Sequence, residues 1–272
     1  MQVIIKENSE AASLLAARVV AELIQRQPYA VLGLATGSTQ LRLYEELGRM
    51  HREEGLDFSR ITTFNLDEYV GVARDHPTSF YDFIHQHLFK QINIPADHIH
   101  IPDGLSQNIQ LECERYERSI KSVGGIDLQI LGIGRNGHIA FNEPSSSLAS
   151  RTRVTRLTHR TIQDNARFFD SEESVPTHSI TMEIGTILEA RHCLLMAFGE
   201  GKKEAVTRAV EGPVSASLPA SALQLHPRVR IFLDEEAASG LENADYYRWI
   251  QADLGSGVPE KWEGPQGRDH FD

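Results

Sequence analysis

The strongest candidates for proton chemistry in this chain lie within residues 126–144. An apolar run ending at Ile133 gives way there to Gly134, Arg135, Asn136, Gly137 and His138, with Glu143 five residues on and Pro144 fixing its backbone. Ile126 to Ile133 alternates apolar and polar residues before turning wholly apolar, the pattern of a strand entering a buried sheet. Gly132, Gly134 and Gly137 supply the freedom for a sharp strand end and for close approach by another molecule. Histidine titrates near neutral pH, so His138, delivered at such a turn, is an acid/base candidate. The same residues also read as an ordinary hairpin. Asn136-Gly137 favours a tight turn, and Gly-x-Gly alone carries little information.

Three further stretches carry polar groups with a chemical use. Ala35-Thr36-Gly37-Ser38-Thr39 lies between a strand predicted over 29–34 and a helix through Leu41, Tyr44 and Leu47. Strand, hydroxyl-rich turn and helix make an anion site, because free backbone N–H groups and the helix dipole converge on one point. Capping of the helix by Ser38 or Thr39 is the competing reading. Asp67 and Glu68 follow a strand predicted over 61–66. A carboxylate there serves as a proton carrier or opens a solvated loop, and the local residues favour the loop. Lys203 begins a helix after a strand predicted over 193–198, a poor position for a cation unless an anion is bound beside it. Arg151, Arg153, Arg156, Arg160 and Arg167 accompany one local acid, Asp164. They fit either an anionic ligand or a solvated, ion-paired face.

No metal centre is expected. His85 and His87 are two apart on a predicted helix and do not share a face, and His98 and His100 lack a third ligand. Cys113 and Cys193 show no ligand spacing, and a reduced compartment is the natural inference.

Positioning these groups requires alternating helices and strands, and the periodicity supplies them along the whole chain. Helices are predicted over 8–27, 41–48, 79–89 and 109–123, from Ser179–Thr181 through Leu188, and over 203–210. Strands are predicted over 29–34, 61–66, 126–133, 193–198 and 229–233. The expected fold is α/β and Rossmann-like: a doubly wound, mostly parallel sheet with helices on both faces. It forms a single domain over 1–240, with a lid over roughly 145–180 and a C-terminal extension over 241–272. In that architecture Thr36–Thr39, Asp67, Gly134–Glu143 and Lys203 share one edge of the sheet.

Hydrophobic residues make up 40% of the 272, enough for a core. A formal charge of −11 argues against nucleic acid as a partner but leaves room for a small phosphorylated ligand in a local positive pocket. No apolar run reaches the roughly 18 residues that span a bilayer, and no signal peptide is visible. A cytoplasmic protein with no membrane partner is expected.

Five runs carry a resemblance to a known family. They are Leu-Gly-Leu-Ala-Thr-Gly-Ser-Thr (32–39), Phe-Asn-Leu-Asp-Glu-Tyr (64–69), Leu-Gly-Ile-Gly-Arg-Asn-Gly-His-Ile-Ala-Phe-Asn-Glu-Pro (131–144), Asn-Ala-Arg-Phe-Phe (165–169) and Leu-Gln-Leu-His-Pro (223–227). Together they resemble the glucosamine-6-phosphate deaminases over nearly all of the chain but its tail. The resemblance implies conversion of glucosamine 6-phosphate and water to fructose 6-phosphate and ammonia, in amino-sugar catabolism and without a cofactor. By it, Asp67 is the base that moves a proton between C2 and C1, and His138 assists ring opening. Asn136 and Glu143 flank that histidine, while Thr36, Gly37, Ser38, Thr39, Arg167 and Lys203 hold the phosphate. A homo-oligomer is compatible with the resemblance.

Four departures accompany it. Asn136 stands where many relatives have Asp, and activity is expected to persist with Glu143 alone. Gln40 replaces a proline that often begins the phosphate helix. Thr155, between Arg153 and Arg156, weakens the case for the regulatory N-acetylglucosamine 6-phosphate site of some members. The tail is longer than expected. Two rivals share the fold. A 6-phosphogluconolactonase-like hydrolase has no carbon acid for Asp67 to deprotonate, and a non-catalytic sugar-phosphate sensor has no use for the proton-handling side chains.

Overall fold

The computed structural model describes residues 1–253 except Arg167, Phe168, Asp170, Glu172 and Glu173. The chain begins β1 (Gln2–Lys6), α1 (Ser9–Arg26), β2 (Val31–Leu34), α2 (Leu41–Glu54), β3 (Thr62–Asn65), β4 (Asp67–Tyr69) and α3 (Phe80–His87). It continues β5 (Ile99–His100), α4 (Ile109–Ser122), β6 (Leu128–Gly132), β7 (Arg153–Arg156), α5 (His159–Asn165), β8 (His178–Thr181) and α6 (Ile184–Leu188). The last elements are β9 (His192–Ala197), α7 (Lys203–Val210), β10 (Val229–Asp234), α8 (Glu235–Ala238) and α9 (Ala244–Asp253). Seven strands form one sheet in the order β1-β10-β9-β6-β2-β3-β5, every pair parallel.

Successive side chains of a strand point to opposite faces, and here both faces are apolar. Ile4, Leu194, Met196 and Phe232 pack on one side with α1, α2 and α3. Their neighbours Val3, Ile5, Leu195, Ile231 and Leu233 pack on the other side with α4, α6 and α7. This is the expected doubly wound sheet. Its edge strand β1 was absent from the sequence reading because five residues before a capped helix carry too little alternation to register.

A second, antiparallel sheet in the order β4-β8-β7 was also not anticipated. Residues 178–181, expected to open a helix, instead form β8, with Asp67 opposite Thr181. The helix starts three residues later, at Ile184. The apolar Ile180 flanked by Ser179 and Thr181 satisfies a strand period as well as a helical one, and pairing with β4 decides between them. Residues 145–180, expected to form a lid, contribute β7, α5 and β8 and are thereby hydrogen-bonded to the strand that begins with Asp67. Of the extension, α9 is described; it packs against β1, with Gln251 Oε1 accepting from the Ile5 amide at 3.2 Å. Among the described residues no helix is long and apolar enough to cross a membrane.

The chain between β3 and β4 is pinned from α4. Tyr116 is fully buried, and its hydroxyl donates to the Asn65 carbonyl at 2.7 Å and lies 3.2 Å from that of His100. Tyr116→Phe therefore leaves the Asn65 carbonyl without its donor, at a cost of about 1 kcal/mol. Thermal unfolding is expected to show a lowered Tm with unchanged far-UV circular dichroism.

Candidate active site

The carboxyl ends of β2, β3, β6 and β9 open onto one cavity of about 390 Å³. A volume of that order accommodates a small polar molecule. Residues Thr36 to Thr39 line it, as do Asp67, His138 and Lys202. The topology thus brings four distant stretches to one rim.

After β2 the backbone turns at Gly37, whose φ of 128° is open to glycine and costly for other residues. Ser38–Gln40 makes one tight helical turn into α2, and Tyr44 secures it by donating its hydroxyl to the Ala35 carbonyl at 2.6 Å. Neither Ser38 nor Thr39 caps the helix through its side chain, and both residues line the cavity. Backbone N–H groups and hydroxyls at the start of a helix form a cradle for an anion.

After β6 the turn is closed by the Gly134 amide donating to the His138 carbonyl at 2.9 Å and the Gly137 amide donating to Gly134 at 3.0 Å. The imidazole lies flat over Gly134. A Cβ there would fall 2.2 Å from the ring, so glycine is what gives His138 its seat. Ala140, on the cavity wall, holds φ at 49°, a left-handed conformation that costs an alanine energy and is found preferentially at functional sites.

Glu143 lies behind the histidine. Its Oε2 is 3.7 Å from His138 Nδ1, ion-pair range but too long for a hydrogen bond, and Nδ1 has no hydrogen-bond partner among the described residues. Asn136 joins the two groups. Its amide donates to Glu143 Oε2 at 2.7 Å, and its oxygen accepts from the His138 amide at 3.2 Å. Thr161 donates a short hydrogen bond to Glu143 Oε1, and Thr158 adds another at 3.1 Å. Burial pushes the Glu143 carboxyl up, but His138 and the Thr161 and Asn136 donors outweigh it and bring it down to about 2. Glu143 therefore favours its charged form at neutral pH. An aspartate at 136 could not donate that hydrogen bond while ionised, so the asparagine gives Glu143 a donor that an aspartate would not.

Asp67 has the opposite surroundings. It is 6% exposed, and no side-chain or backbone donor reaches its carboxylate among the described residues. Burial first, and the neighbouring Glu68 second, push it up to about 8. A carboxyl that holds its proton near neutrality and touches a cavity is a candidate general acid/base.

Lys203 does not belong to this cavity. Its stem lies against Gly240, and it is Lys202 that lines the cavity, with Nζ donating to the Ile133 carbonyl at 2.6 Å. The tight turn Glu200–Lys202 preceding α7 rotates the two lysines apart, a difference of one residue that spacing alone does not resolve. Arg167 lies outside the described residues. Arg151 pairs with Glu117 and Glu189, and Arg153 with Glu183, so these two follow the ion-paired reading of the arginine cluster. Asn136 and Glu143 do not line the cavity themselves but lie behind His138 and Thr161, which do. Lys202, Thr158 and Thr161 escaped the sequence reading, although Thr-x-x-Thr at the head of a helix is a recognisable capping signal. Among the described residues no group of three or more His, Cys, Asp or Glu side chains could hold a metal ion.

Comparison with known proteins gives the same picture. Residues 6–231 match the family described as glucosamine-6-phosphate isomerases/6-phosphogluconolactonase. A glucosamine-6-phosphate deaminase of Hahella chejuensis is 51% identical over 93% of this chain and 97% of its own. One from Streptomyces avermitilis is 48% identical over 97% of this chain and 100% of its own. A solved monomeric glucosamine-6-phosphate deaminase superposes with a TM-score of 0.87 at 46% identity, covering 88% of this chain and 100% of that one. The 6-phosphogluconolactonase of Trypanosoma brucei, at 21% identity and a TM-score of 0.70 over 88% of this chain and 98% of its own, shares the fold.

The raised proton affinity of Asp67 has a stability consequence. Its folded-state value near 8 exceeds the ordinary 3.8. Between those two values the unfolded chain has released a proton that the folded chain still holds, so stability falls as pH rises through this window. Asp67→Asn removes the effect. The variant is expected to match the parent in unfolding free energy near pH 4 and to exceed it increasingly up to pH 8, by on the order of a few kcal/mol, with Tm rising in step. A Tm difference that does not grow with pH would contradict the assignment.

Proposed function

The chain belongs to the glucosamine-6-phosphate isomerase/6-phosphogluconolactonase family, and we propose that its activity is the deamination of glucosamine 6-phosphate to fructose 6-phosphate and ammonia. The observation that carries this reading is a single cavity lined by the hydroxyl-rich turn, the raised carboxyl of Asp67 and the carboxylate-backed His138.

The chemistry follows from those positions. The phosphate lies on the turn Thr36–Thr39 and is neutralised by Lys202, whose charge faces the same cavity. Its binding energy holds the reacting carbons at the other end of the sugar. His138 passes a proton from the anomeric hydroxyl to the ring oxygen, which opens the ring. Glu143, charged throughout, stabilises the imidazolium formed on the way. Asp67 in its ionised form removes the proton from C2 of the open-chain aldehyde while the C1 oxygen takes up a proton, giving an enolamine, and then delivers its own proton to C1. The nitrogen on C2 is then an imine, and water adds to it to release ammonia and leave the C2 ketone. No cofactor is required, because each step is a proton transfer or the addition of water.

Lactone hydrolysis on the same fold would leave Asp67 without a task, and a binding-only protein would leave both Asp67 and the His138–Glu143 pair without one. A cytoplasmic location fits a phosphorylated substrate.

Ammonia release from glucosamine 6-phosphate, measured beside hydrolysis of 6-phosphogluconolactone, tests the assignment. Turnover of the amino sugar alone is expected, and turnover of the lactone alone would overturn it. Asp67→Asn is expected to lower kcat by at least about a hundredfold while binding of the sugar phosphate persists.

The two lysines offer a second test. Lys202→Ala should raise KM by roughly ten- to a hundredfold with a smaller effect on kcat, whereas Lys203→Ala should leave both unchanged. The reverse result would return the phosphate to Lys203.

A further inference from the structure

Glu68, next to the base in sequence, has no part in the steps above, yet it is among the most deeply buried carboxyls of the protein at 2% exposure. Its Oε1 accepts from the Tyr69 amide at 2.9 Å and from the Phe80 amide at 3.0 Å, and its Oε2 accepts from the Tyr81 amide at 3.0 Å. Phe80 and Tyr81 are the first two residues of α3, whose free amides would otherwise be orphaned. The carboxylate also sits at the positive end of that helix. Ser79, Phe80 and Phe83 at this end of α3 line the same cavity as Asp67. The backbone of Glu68 is held from the other side, where Ser179 of β8 donates its hydroxyl to the Glu68 carbonyl at 2.8 Å. One side chain thus connects the strand that begins with the base to the wall that faces it.

We propose that Glu68 is a positioning residue for the isomerising base, its carboxylate locking the amino end of α3 to the Asp67 strand so that wall and base keep a fixed relation. The proposal rests on the deaminase reading for its kinetic consequences, but not for the lock itself. The side chain has a second effect, through its charge. Glu68 follows Asp67 along the strand, and its negative charge adds to the burial that raises the proton affinity of Asp67. The other groups acting on this pair are the Tyr116 hydroxyl, which interacts with Asp67, and Arg74, which interacts with Glu68. His138 and Lys202 line the cavity that Asp67 faces. Apolar packing alone already gives the α3 wall some hold, since Tyr69 lies 4.5 Å from Phe80 between ring centroids. Losing the lock should loosen the wall without unfolding the chain.

Two substitutions separate tether from charge. Glu68→Gln keeps one acceptor oxygen but removes the charge and sets an amide donor against an amide. The acid limb of kcat/KM is expected to move to lower pH by about one unit, with KM raised about tenfold. Glu68→Asp keeps the charge but shortens the reach. The acid limb should stay in place while KM rises by a similar factor.

Hydrogen exchange reads the lock without reference to activity. The amides of Tyr69, Phe80 and Tyr81 should be protected in the parent and exchange at least about tenfold faster in both variants. Parent-like exchange and a parent-like pH profile in Glu68→Gln would overturn the proposal. Slow exchange in the parent with no ammonia release would leave the lock standing and sink the deaminase reading instead. Should Glu68→Gln fail to fold, Glu68→Asp decides by the exchange of Phe80 and Tyr81 alone.

Discussion

Asp67 and Glu143 carry the same functional group, and the protein depends on their surroundings driving that group in opposite directions. Asp67 is buried at the cavity wall with a second carboxyl beside it, so its charged form is penalised. Glu143 is buried too, but it receives Thr161, Thr158 and Asn136 as donors and has the imidazole within ion-pair range. The first group can therefore pick up and release a proton near neutrality. The second is a fixed negative charge that steadies a histidine. Two like residues acquire different proton affinities because, among the described residues, one carboxylate receives no hydrogen bond and the other receives several.

The fold supplies this difference by placing the two groups on different kinds of backbone. Glu143 follows a tight turn at the end of a central parallel strand, where Gly134 leaves room for the imidazole and Asn136 reaches across to tie amide and carboxylate together. Asp67 leaves the central sheet and begins a short antiparallel one, held on its flanks by Tyr116 and Glu68. That second sheet carries the helix supporting Glu143 as well, since α5, with Thr161, lies between β7 and β8. Changes at the rim of the small sheet thus reach Glu143 through side-chain hydrogen bonds and Asp67 through its backbone pairing.

Stability and chemistry oppose each other at Asp67. Burying a carboxyl with no donor among the described residues destabilises the folded chain across the neutral range, and the same burial supplies the raised proton affinity that the proposed deprotonation of carbon uses. The apolar packing on both faces of a seven-stranded sheet offsets that local loss.

Much of this was open to a reader of the sequence. Alternating apolar periods determined the helices and the parallel sheet, and glycine with small hydroxyl residues marked both turns at its carboxyl edge. His138 and the turn Thr36–Thr39 were legible because glycine and hydroxyl side chains at a strand end have few other reasons to be there. Other features waited for the tertiary structure. The strand over 178–181 depends on a partner more than a hundred residues away in sequence, Asp67–Tyr69, and no local period records such a pairing. The choice of Lys202 over Lys203 depends on the rotation of one helical turn. Asp67 looked like the start of a solvated loop because aspartate usually is one. Its burial, and hence its proton affinity, is a property of what packs around it. Sequence determines which chemical groups are present and the periods that fold them, whereas proton affinities and hydrogen-bond partners arise only when segments distant along the chain exclude water together.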